Sequence, residues 1–227
     1  MRLSRIFPIE NQRVIGEDDR MKILELVRLA ALAVLVFIST AAAEGNPYVL
    51  QEGDIVFSSS PAGQGRAIID ATNSPYTHCG IVFQQDGKLM VLEAVEPVGV
   101  TSLEKFIARC TPGAFTARRL KTPVAPTAYQ KARDWGKEQI GLHYDAQFRW
   151  DDKKLYCSEL VWKTFEKAGV RLCEPSRFRD YHLDKPSVRK VIEDRYGSVD
   201  KVPLDESVVA PGDIAASTLL VEPPRKP

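Results

Sequence analysis

The chain has 227 residues, of which 44% are hydrophobic and 27% are charged, a composition that is typical of a folded protein and excludes wholesale disorder. Its 31 basic and 30 acidic residues nearly cancel, so the charge does not favour binding to nucleic acid. The four cysteines include no Cys-x-x-Cys pair and are too few for a disulfide framework, so we expect neither a metal nor a cofactor.

The first apolar run, LAALAVLVFI at 29–38, is too short to span a membrane, which needs about 20 apolar residues. Basic residues precede the run and small alanines follow it, as in a signal peptide. We therefore predict that 1–43 is an upstream extension plus a signal peptide that starts at Met21 and is cleaved after Ala43. An uncleaved anchor is the alternative. The predicted mature chain, 44–227, is a single secreted or periplasmic domain without a stable membrane span.

Local patterns along the mature chain predict a mixed α+β domain. Short apolar runs between turn residues indicate strands, and apolar residues with helical spacing indicate helices that stop at Gly141 and Gly169. The predicted elements are a strand at 53–57, a helical turn at 67–71, a hairpin at 77–95, a strand at 115–120, a helix at 127–140, a helix at 157–168 and a last strand at 211–215.

The hairpin carries the first candidate pair of functional residues. The Asp-Gly pair at 86–87 lies between two apolar runs, a pattern typical of a two-residue type I′ turn. That turn places Gly80 opposite Glu93, and strand alternation puts His78 on the same face, diagonal to Glu93. Diagonal neighbours lie roughly 7–8 Å apart at the backbone, within reach of long side chains. A glutamate facing an apolar interior needs a partner, and His78 is the nearest candidate. A solvent-facing Glu93 is the alternative.

Cys157 is the candidate nucleophile because it is predicted at the N-terminus of a helix. Unpaired N–H groups and the helix dipole at that end favour an anion and lower a thiol pKa from about 8.5. A buried, inert cysteine is the alternative. With His78 as base and Glu93 to orient the imidazole, the three residues would form a nucleophilic triad. Strand alternation places Cys79 in the core, and Cys110 and Cys173 are compatible with either a disulfide or free thiols.

Five segments of the mature chain resemble a known family. GDIVF, NSPYTHCGIVF, VLEAVEPVGV, LHYDAQF and LYCSELVWKTFEKAGV are similar to the permuted papain-like cysteine hydrolases of the YaeF/YiiX type, which are circularly permuted relatives of the NlpC cell-wall peptidases. The resemblance covers about 50–175. It implies an α+β papain-like fold in which a small antiparallel sheet or barrel that carries the histidine packs against the helix that carries the cysteine.

Matched position by position, the resemblance implies that Cys157 is the nucleophile, His78 the base and Glu93 the polar third residue. Tyr144 and Asp145 match the Tyr-Asp pair that precedes the cysteine helix and are predicted to line the cleft.

Packing and loop capping are the alternative roles for Tyr144 and Asp145. Tyr156 and Ser158 flank the nucleophile in the matching segment, and we predict that they also contribute to substrate binding.

The expected function is that of an exported cysteine hydrolase that cleaves an amide bond through a thioester acyl-enzyme. The family kinship points to a cell-wall peptide as the substrate, and the backbone N–H of Cys157 is the expected oxyanion donor. A lipid acyltransferase or thioesterase on the same scaffold is one alternative. A binding module without turnover is the other.

Overall fold

The computed structural model describes residues 45–227, and the predicted signal peptide with its cleavage site lies outside them. The strands are β1 (Ile55–Ser58), β2 (His78–Gln85), β3 (Lys88–Glu93), β4 (Gly99–Ser102), β5 (Thr116–Leu120), β6 (Ser176–Arg177), β7 (Ser207–Val208) and β8 (Leu220–Val221). The helices are α1 (Gly65–Thr72), α2 (Leu103–Ala108), α3 (Pro126–Glu138), α4 (Cys157–Lys167), α5 (Pro186–Tyr196) and α6 (Pro211–Ala215). Within this part of the chain, no helix is long and apolar enough to cross a membrane.

A six-stranded antiparallel sheet with the order β4-β3-β2-β1-β5-β8 forms the centre of the fold. Strand β1 is apolar up to its last residue, Ser58, and is buried on both faces, as expected for a central strand. Helix α4 packs against β2, and Val161 and Phe165 on that helix join Ile55, Phe57 and Ile81 in one core cluster. The arrangement confirms the predicted α+β fold, in which the sheet packs against the helix that begins with Cys157.

The predicted hairpin register is confirmed. Gln85 pairs with Lys88, and the strands stay in step up to the pair of Ile81 and Leu92. The turn at 86–87 has φ of 51° and 72°, and a type I′ turn requires positive φ at both central residues. The turn chemistry therefore sets the register that brings the two ends of the hairpin together beside α4.

Gly80 allows β2 and β3 to approach closely next to the candidate site. A Cβ built on Gly80 would lie 2.5 Å from Val91 Cγ1 and 2.9 Å from the Leu92 carbonyl oxygen. It would also lie 3.3 Å from Glu93 Cβ, so a side chain here would press on the carboxylate-bearing residue.

Replacing Gly80 with alanine is expected to lower the free energy of unfolding by about 1–3 kcal/mol, the usual cost of overpacking a tight core. Gly99→Ala is the matched control, because its added Cβ meets only the Pro97 carbonyl oxygen at 3.7 Å. Urea unfolding of both variants measures the effect. Equal stabilities of the two variants would show that the sheet relaxes around the added methyl group at Gly80.

The predicted last strand at 211–215 is wrong, because these residues form helix α6. Pro211 occupies the first turn, where its missing N–H costs no hydrogen bond. The Asp213 carboxylate accepts the Ala210 N–H at 2.7 Å and caps the same turn. A proline followed two residues later by an aspartate was the signal for a helix start, and it outweighs the short apolar run.

The segment after α4 builds a second layer around the N-terminus of that helix. Helix α5 packs against α1, and the short β6-β7 pair lies beside them. Phe178, Val188, Ile192 and Val208 from this segment form a cluster with Tyr156, the residue immediately before α4. Neither α5 nor the β6-β7 pair was predicted from the sequence, and together they enclose the space in front of Cys157.

Candidate active site

The Cys157 side chain is buried at the first residue of α4. The carboxylate of Glu159, also buried, accepts the Tyr156 N–H at 3.4 Å and lies 2.8 Å from the Lys163 ammonium one turn along the helix. Burial raises the pKa of Glu159 to about 8, although Lys163 acts in the opposite direction. These contacts fix the start of the helix, and with it the position of the thiol.

His78 begins β2 and meets Glu93 at the end of β3. The His78 Nε2 atom lies 2.6 Å from Glu93 Oε2, and the Glu93 side chain is fully buried. The contact occupies Nε2, so Nδ1 is the ring nitrogen left for Cys157. The Phe106 ring stacks on the imidazole with centroids 5.7 Å apart, which holds the plane of the ring. The hairpin therefore brings together the pair that its register predicted.

Arg109 also contacts Glu93, and sequence reasoning missed it. Its Nη2 atom lies 2.5 Å from Glu93 Oε1, the oxygen that His78 does not use. The guanidinium carbon lies 5.6 Å from the centre of the Phe106 ring, so one aromatic ring supports both Arg109 and His78. The spacing of Phe106 and Arg109 places them on one face of a helical turn, but nothing in the local pattern indicates that this turn folds back onto Glu93.

The charges of the site favour a thiolate and an imidazolium. A hydrogen bond to Cys79, reinforced by the charge of His78, lowers the pKa of Cys157 well below its ordinary value despite burial. Burial lowers the pKa of His78, but the charge of Cys157 and the contact with Glu93 outweigh burial and raise it to about 9. Burial likewise opposes ionisation of Glu93, but His78 and Arg109 lower its pKa to about 2. The three groups therefore stabilise one another in their charged forms.

The other three cysteines are free thiols whose pKa is raised. Cys79 lies in the core cluster with Cys157, as strand alternation predicted, and burial holds its pKa well above the ordinary value. Burial also raises the pKa of Cys110 to about 11 and that of Cys173 to about 12. Cys157 is consequently the cysteine with the largest thiolate fraction near neutral pH.

Iodoacetamide at pH 6 is expected to alkylate Cys157 and to leave the other three cysteines unmodified. A thiolate reacts whereas a thiol does not, and only Cys157 has a pKa shifted below the ordinary value. Intact-mass measurement should find one adduct per chain, and peptide mapping should locate it. An adduct that persists in Cys157→Ala, or equal labelling of Cys110 and Cys157, would contradict the assignment.

An apolar pocket opens beside the thiol. Tyr144, Tyr156 and Ser158, which were predicted to bind substrate, line the pocket together with Cys157. Its walls include Ala67, Ile68, Phe178, Val188, Ile192 and Val208. Helices α1 and α5 and strand β7 contribute most of these side chains, so the segment after α4 supplies a wall that the sequence did not predict.

Asp145 does not line this pocket and instead caps a turn. Its carboxylate accepts the backbone N–H groups of Gln147 at 2.9 Å and of Arg149 at 2.7 Å. The turn holds Phe148 at φ 52°, a left-handed conformation that is uncommon for a bulky residue. The Phe148 ring lines the pocket and meets the Tyr156 ring edge-on at 5.2 Å. Asp145 thus has the loop-capping role that was its alternative and shapes the pocket through Phe148.

Tyr156 and Ser158 fasten the chain after α5 to the start of α4. The Tyr156 hydroxyl oxygen accepts the Val209 N–H at 3.2 Å, and the Ser158 hydroxyl donates to the Val209 carbonyl oxygen at 2.6 Å. Because both side chains are almost completely buried, their polar atoms serve these two contacts, while their apolar atoms face the pocket.

A sheet strand that carries histidine and precedes a helix that begins with cysteine defines a papain-like thiol hydrolase with permuted chain order. The family model described as "Permuted papain-like amidase enzyme, YaeF/YiiX, C92 family" matches residues 49–220. The chain belongs to this family and is accordingly an enzyme of the cysteine hydrolase or amidase class.

Two relatives from Escherichia coli show how similar the chain is to other members. It is 37% identical over 185 residues to the uncharacterized protein YiiX of strain K12, and the match covers 81% of this chain and 88% of that protein. The crystal structure of the metalloprotein yiiX from strain O157:H7 has a TM-score of 0.72 and 35% identity to this chain, with 78% of this chain and 97% of that chain covered.

The description of that crystal structure as a metalloprotein raises the question of a metal in this chain. Across residues 45–227, no three His, Cys, Asp or Glu side chains are grouped so that they could hold a metal ion. Near the thiol, both Glu93 oxygens are already taken by His78 and Arg109. The donor set in the described part of the chain therefore does not fit a metal ion.

Proposed function

We propose that the chain is a cysteine hydrolase that cleaves an amide bond through a thioester acyl-enzyme, with Cys157 as nucleophile, His78 as base and Glu93 as the group that orients the base. One observation carries this proposal. The charge of the His78 imidazole helps to lower the pKa of the buried Cys157 thiol at the start of α4. The Nε2 atom of that imidazole lies 2.6 Å from the buried Glu93 carboxylate.

The charged pair supports a two-step reaction. The Cys157 sulfur attacks the carbonyl carbon, and the His78 imidazolium gives its proton to the leaving amine as the C–N bond breaks. Water then gives a proton to the neutral imidazole and attacks the thioester, which releases the carboxylic acid and restores the thiolate. Glu93 stabilises the imidazolium, and Arg109 keeps the Glu93 carboxylate charged and fixed.

The backbone N–H of Cys157 is the proposed oxyanion donor. It lies in the first turn of α4, where the N–H groups have no carbonyl partner within the helix. A donor held there is in place before negative charge develops on the carbonyl oxygen, so the helix start stabilises the tetrahedral intermediate.

A cell-wall peptide is the substrate that the family kinship with NlpC peptidases supports. Such a peptide would present an amide next to a D-amino acid or a diamino acid. The apolar pocket beside Cys157 favours a second candidate, an acyl chain that is hydrolysed from or transferred to a lipid or an amine. Aromatic and aliphatic side chains form most of this pocket, and burying an acyl chain against them contributes about 0.8 kcal/mol per methylene group.

Parallel incubations distinguish the two candidates. Purified cell-wall peptides and acyl-lipid vesicles are each treated with the wild-type chain and with Cys157→Ala, and mass spectrometry records new amines, free acids and transferred acyl chains. New amines from the peptides support the peptidase. Free or transferred acyl chains support the acyl-lipid enzyme. A binding module would yield no product from either substrate.

Export is the last part of the proposal and rests on the apolar run at 29–38 with its small-residue site at Ala43. N-terminal sequencing of the protein recovered from a secreting host is expected to begin at Glu44. Retention of residues 21–43 would favour the uncleaved anchor instead.

A further inference from the structure

Apart from the Cys157 thiolate, which is paired with the His78 imidazolium, Arg195 is the one charged side chain among the described residues that line the pocket beside Cys157. Arg195 lies in the last turn of α5 and is only partly exposed. The remaining lining residues are apolar or carry neutral polar groups, so this lining contains no aspartate or glutamate that could pair with the guanidinium. A guanidinium at the edge of an apolar pocket can form a charge-assisted pair with an anion that enters the pocket.

Neutral groups fix the position of the guanidinium. Its Nη1 atom donates to the Ala146 carbonyl oxygen at 2.9 Å, and Nη2 donates to Gln64 Oε1. The guanidinium carbon lies 4.9 Å from the centre of the Phe148 ring. Among residues 45–227, no carboxylate lies within 4.0 Å of Arg195, whose fork has five N–H donors. The side chain is thus held in place without a carboxylate partner among residues 45–227 and with donors to spare.

Arg195 is connected through Gln64 to Tyr144, which lines the pocket together with Cys157. Gln64, which accepts from Arg195, donates through Nε2 to the Tyr144 hydroxyl at 3.3 Å. Tyr144 and Cys157 line the same pocket. An anion at Arg195 and a carbonyl at the sulfur would therefore occupy the same pocket, and one molecule can supply both.

We propose that Arg195 binds an oxyanion of the substrate, a phosphate or a carboxylate, while the apolar part of that substrate fills the pocket beside Cys157. The inference rests on the proposed function, because it assigns the anion to the molecule that the thiol attacks. It makes the preferred substrate an anionic amphiphile, and it makes Arg195 a specificity-determining residue. A bidentate pair with the planar guanidinium suits both oxyanions.

Binding of three ligands that share one chain and differ in the head group tests the proposal. Octyl phosphate, octanoate and octanol are titrated calorimetrically into the wild-type chain and into Cys157→Ala. We expect the wild-type chain to bind at least one anion about tenfold or more tightly than octanol, since a charge-assisted pair contributes more than a neutral contact. Equal affinities of the wild-type chain for all three ligands would overturn the proposal, whatever affinities the variants show.

The source of the oxyanion follows from the two anionic ligands. Preference for octyl phosphate indicates a lipid head group or another phosphate ester, and preference for octanoate indicates a carboxylate such as that of a peptide. Arg195→Gln is expected to reduce the anion-to-octanol ratio about tenfold, and Arg195→Lys to restore part of it. Arg189→Gln is the matched control, because it removes the same charge from an exposed position on α5. An equal loss in Arg189→Gln and Arg195→Gln would refute a specific site.

Protection of the thiol links the anion to the reaction site. The preferred anion should slow alkylation of Cys157 in the wild-type chain and should slow it much less in Arg195→Gln. If a saturating concentration of the anion leaves the alkylation rate of the wild-type chain unchanged, the anion binds outside the reaction site, which contradicts the proposal. Hydrolysis by Cys157→Ala would contradict the proposed function without changing the affinity ratios. The two ideas can therefore fail separately.

Discussion

Replacing Cys157 with alanine is expected to lower kcat/KM by about 10³-fold or more on any substrate that the wild-type chain cleaves, because the covalent acyl-enzyme cannot form without the sulfur. The side chain is small and lies at the start of α4, where the backbone contacts of the helix do not depend on it. Initial rates with the best substrate from the screen measure the effect, and the thermal midpoint tests whether the fold is retained.

Cys173→Ala is the matched control for this loss. Cys173 is a free, partly buried thiol, and its contact with Trp162 Nε1 is made by the backbone carbonyl oxygen, which the substitution keeps. The rate of the Cys173→Ala variant should stay within about twofold of the wild-type rate. This is well below the tenfold change that corresponds to about 1.36 kcal/mol in the activation free energy. If Cys157→Ala keeps wild-type activity, Cys157 is not the nucleophile.

The half of the site on the hairpin could be predicted because its geometry is local. The turn at 86–87 sets the strand register, and the register sets which residues share a face. His78 and Glu93 are therefore brought together by sixteen consecutive residues, 78–93, whose pattern is visible in the sequence. The helix start at Cys157 is similarly local. That the hairpin packs against this helix was implied only by the family resemblance.

The rest of the site depends on contacts between segments far apart in sequence. Arg109 reaches Glu93 because α2 folds back across the end of the hairpin, and no periodicity encodes that return. The pocket wall comes from α5 and β7, where mixed polar and apolar residues give weak helical and strand patterns. The family resemblance implied that Asp145 faces the cleft, whereas its carboxylate closes a turn. Local sequence patterns predict elements, and long-range packing decides what those elements enclose.

The pH dependence of kcat/KM is expected to be bell-shaped, with the alkaline limb near pH 9. The pKa of Cys157 is lowered, so the thiolate persists below neutral pH, and activity is lost only when acid protonates it. The pKa of His78 is raised to about 9, so the imidazolium persists up to that pH and is lost above it. His78→Ala removes the proton donor and is expected to lower the rate at pH 7 by about 10²–10⁴-fold.

Glu93→Gln is expected to move the alkaline limb to lower pH. Glutamine keeps the size of the side chain and can still contact the imidazole, but it carries no charge, and the Glu93 carboxylate is one cause of the raised pKa of His78. Rates measured across the pH range, together with alkylation of Cys157 across the same range, report the shift independently of the substrate chosen.

Glu96→Gln provides the matched control, since it removes a carboxylate from a second histidine–glutamate pair. Glu96 Oε1 lies 2.7 Å from His143 Nδ1, but both side chains are exposed and neither lines the pocket. Its pH profile should therefore coincide with that of the wild-type chain. If the Glu93→Gln profile also coincides, the buried carboxylate does not support the charge of His78, and its contact with the imidazole serves only to stabilise the fold. An alkaline limb that moves in Glu93→Gln alone separates an electrostatic role in the reaction from a structural one.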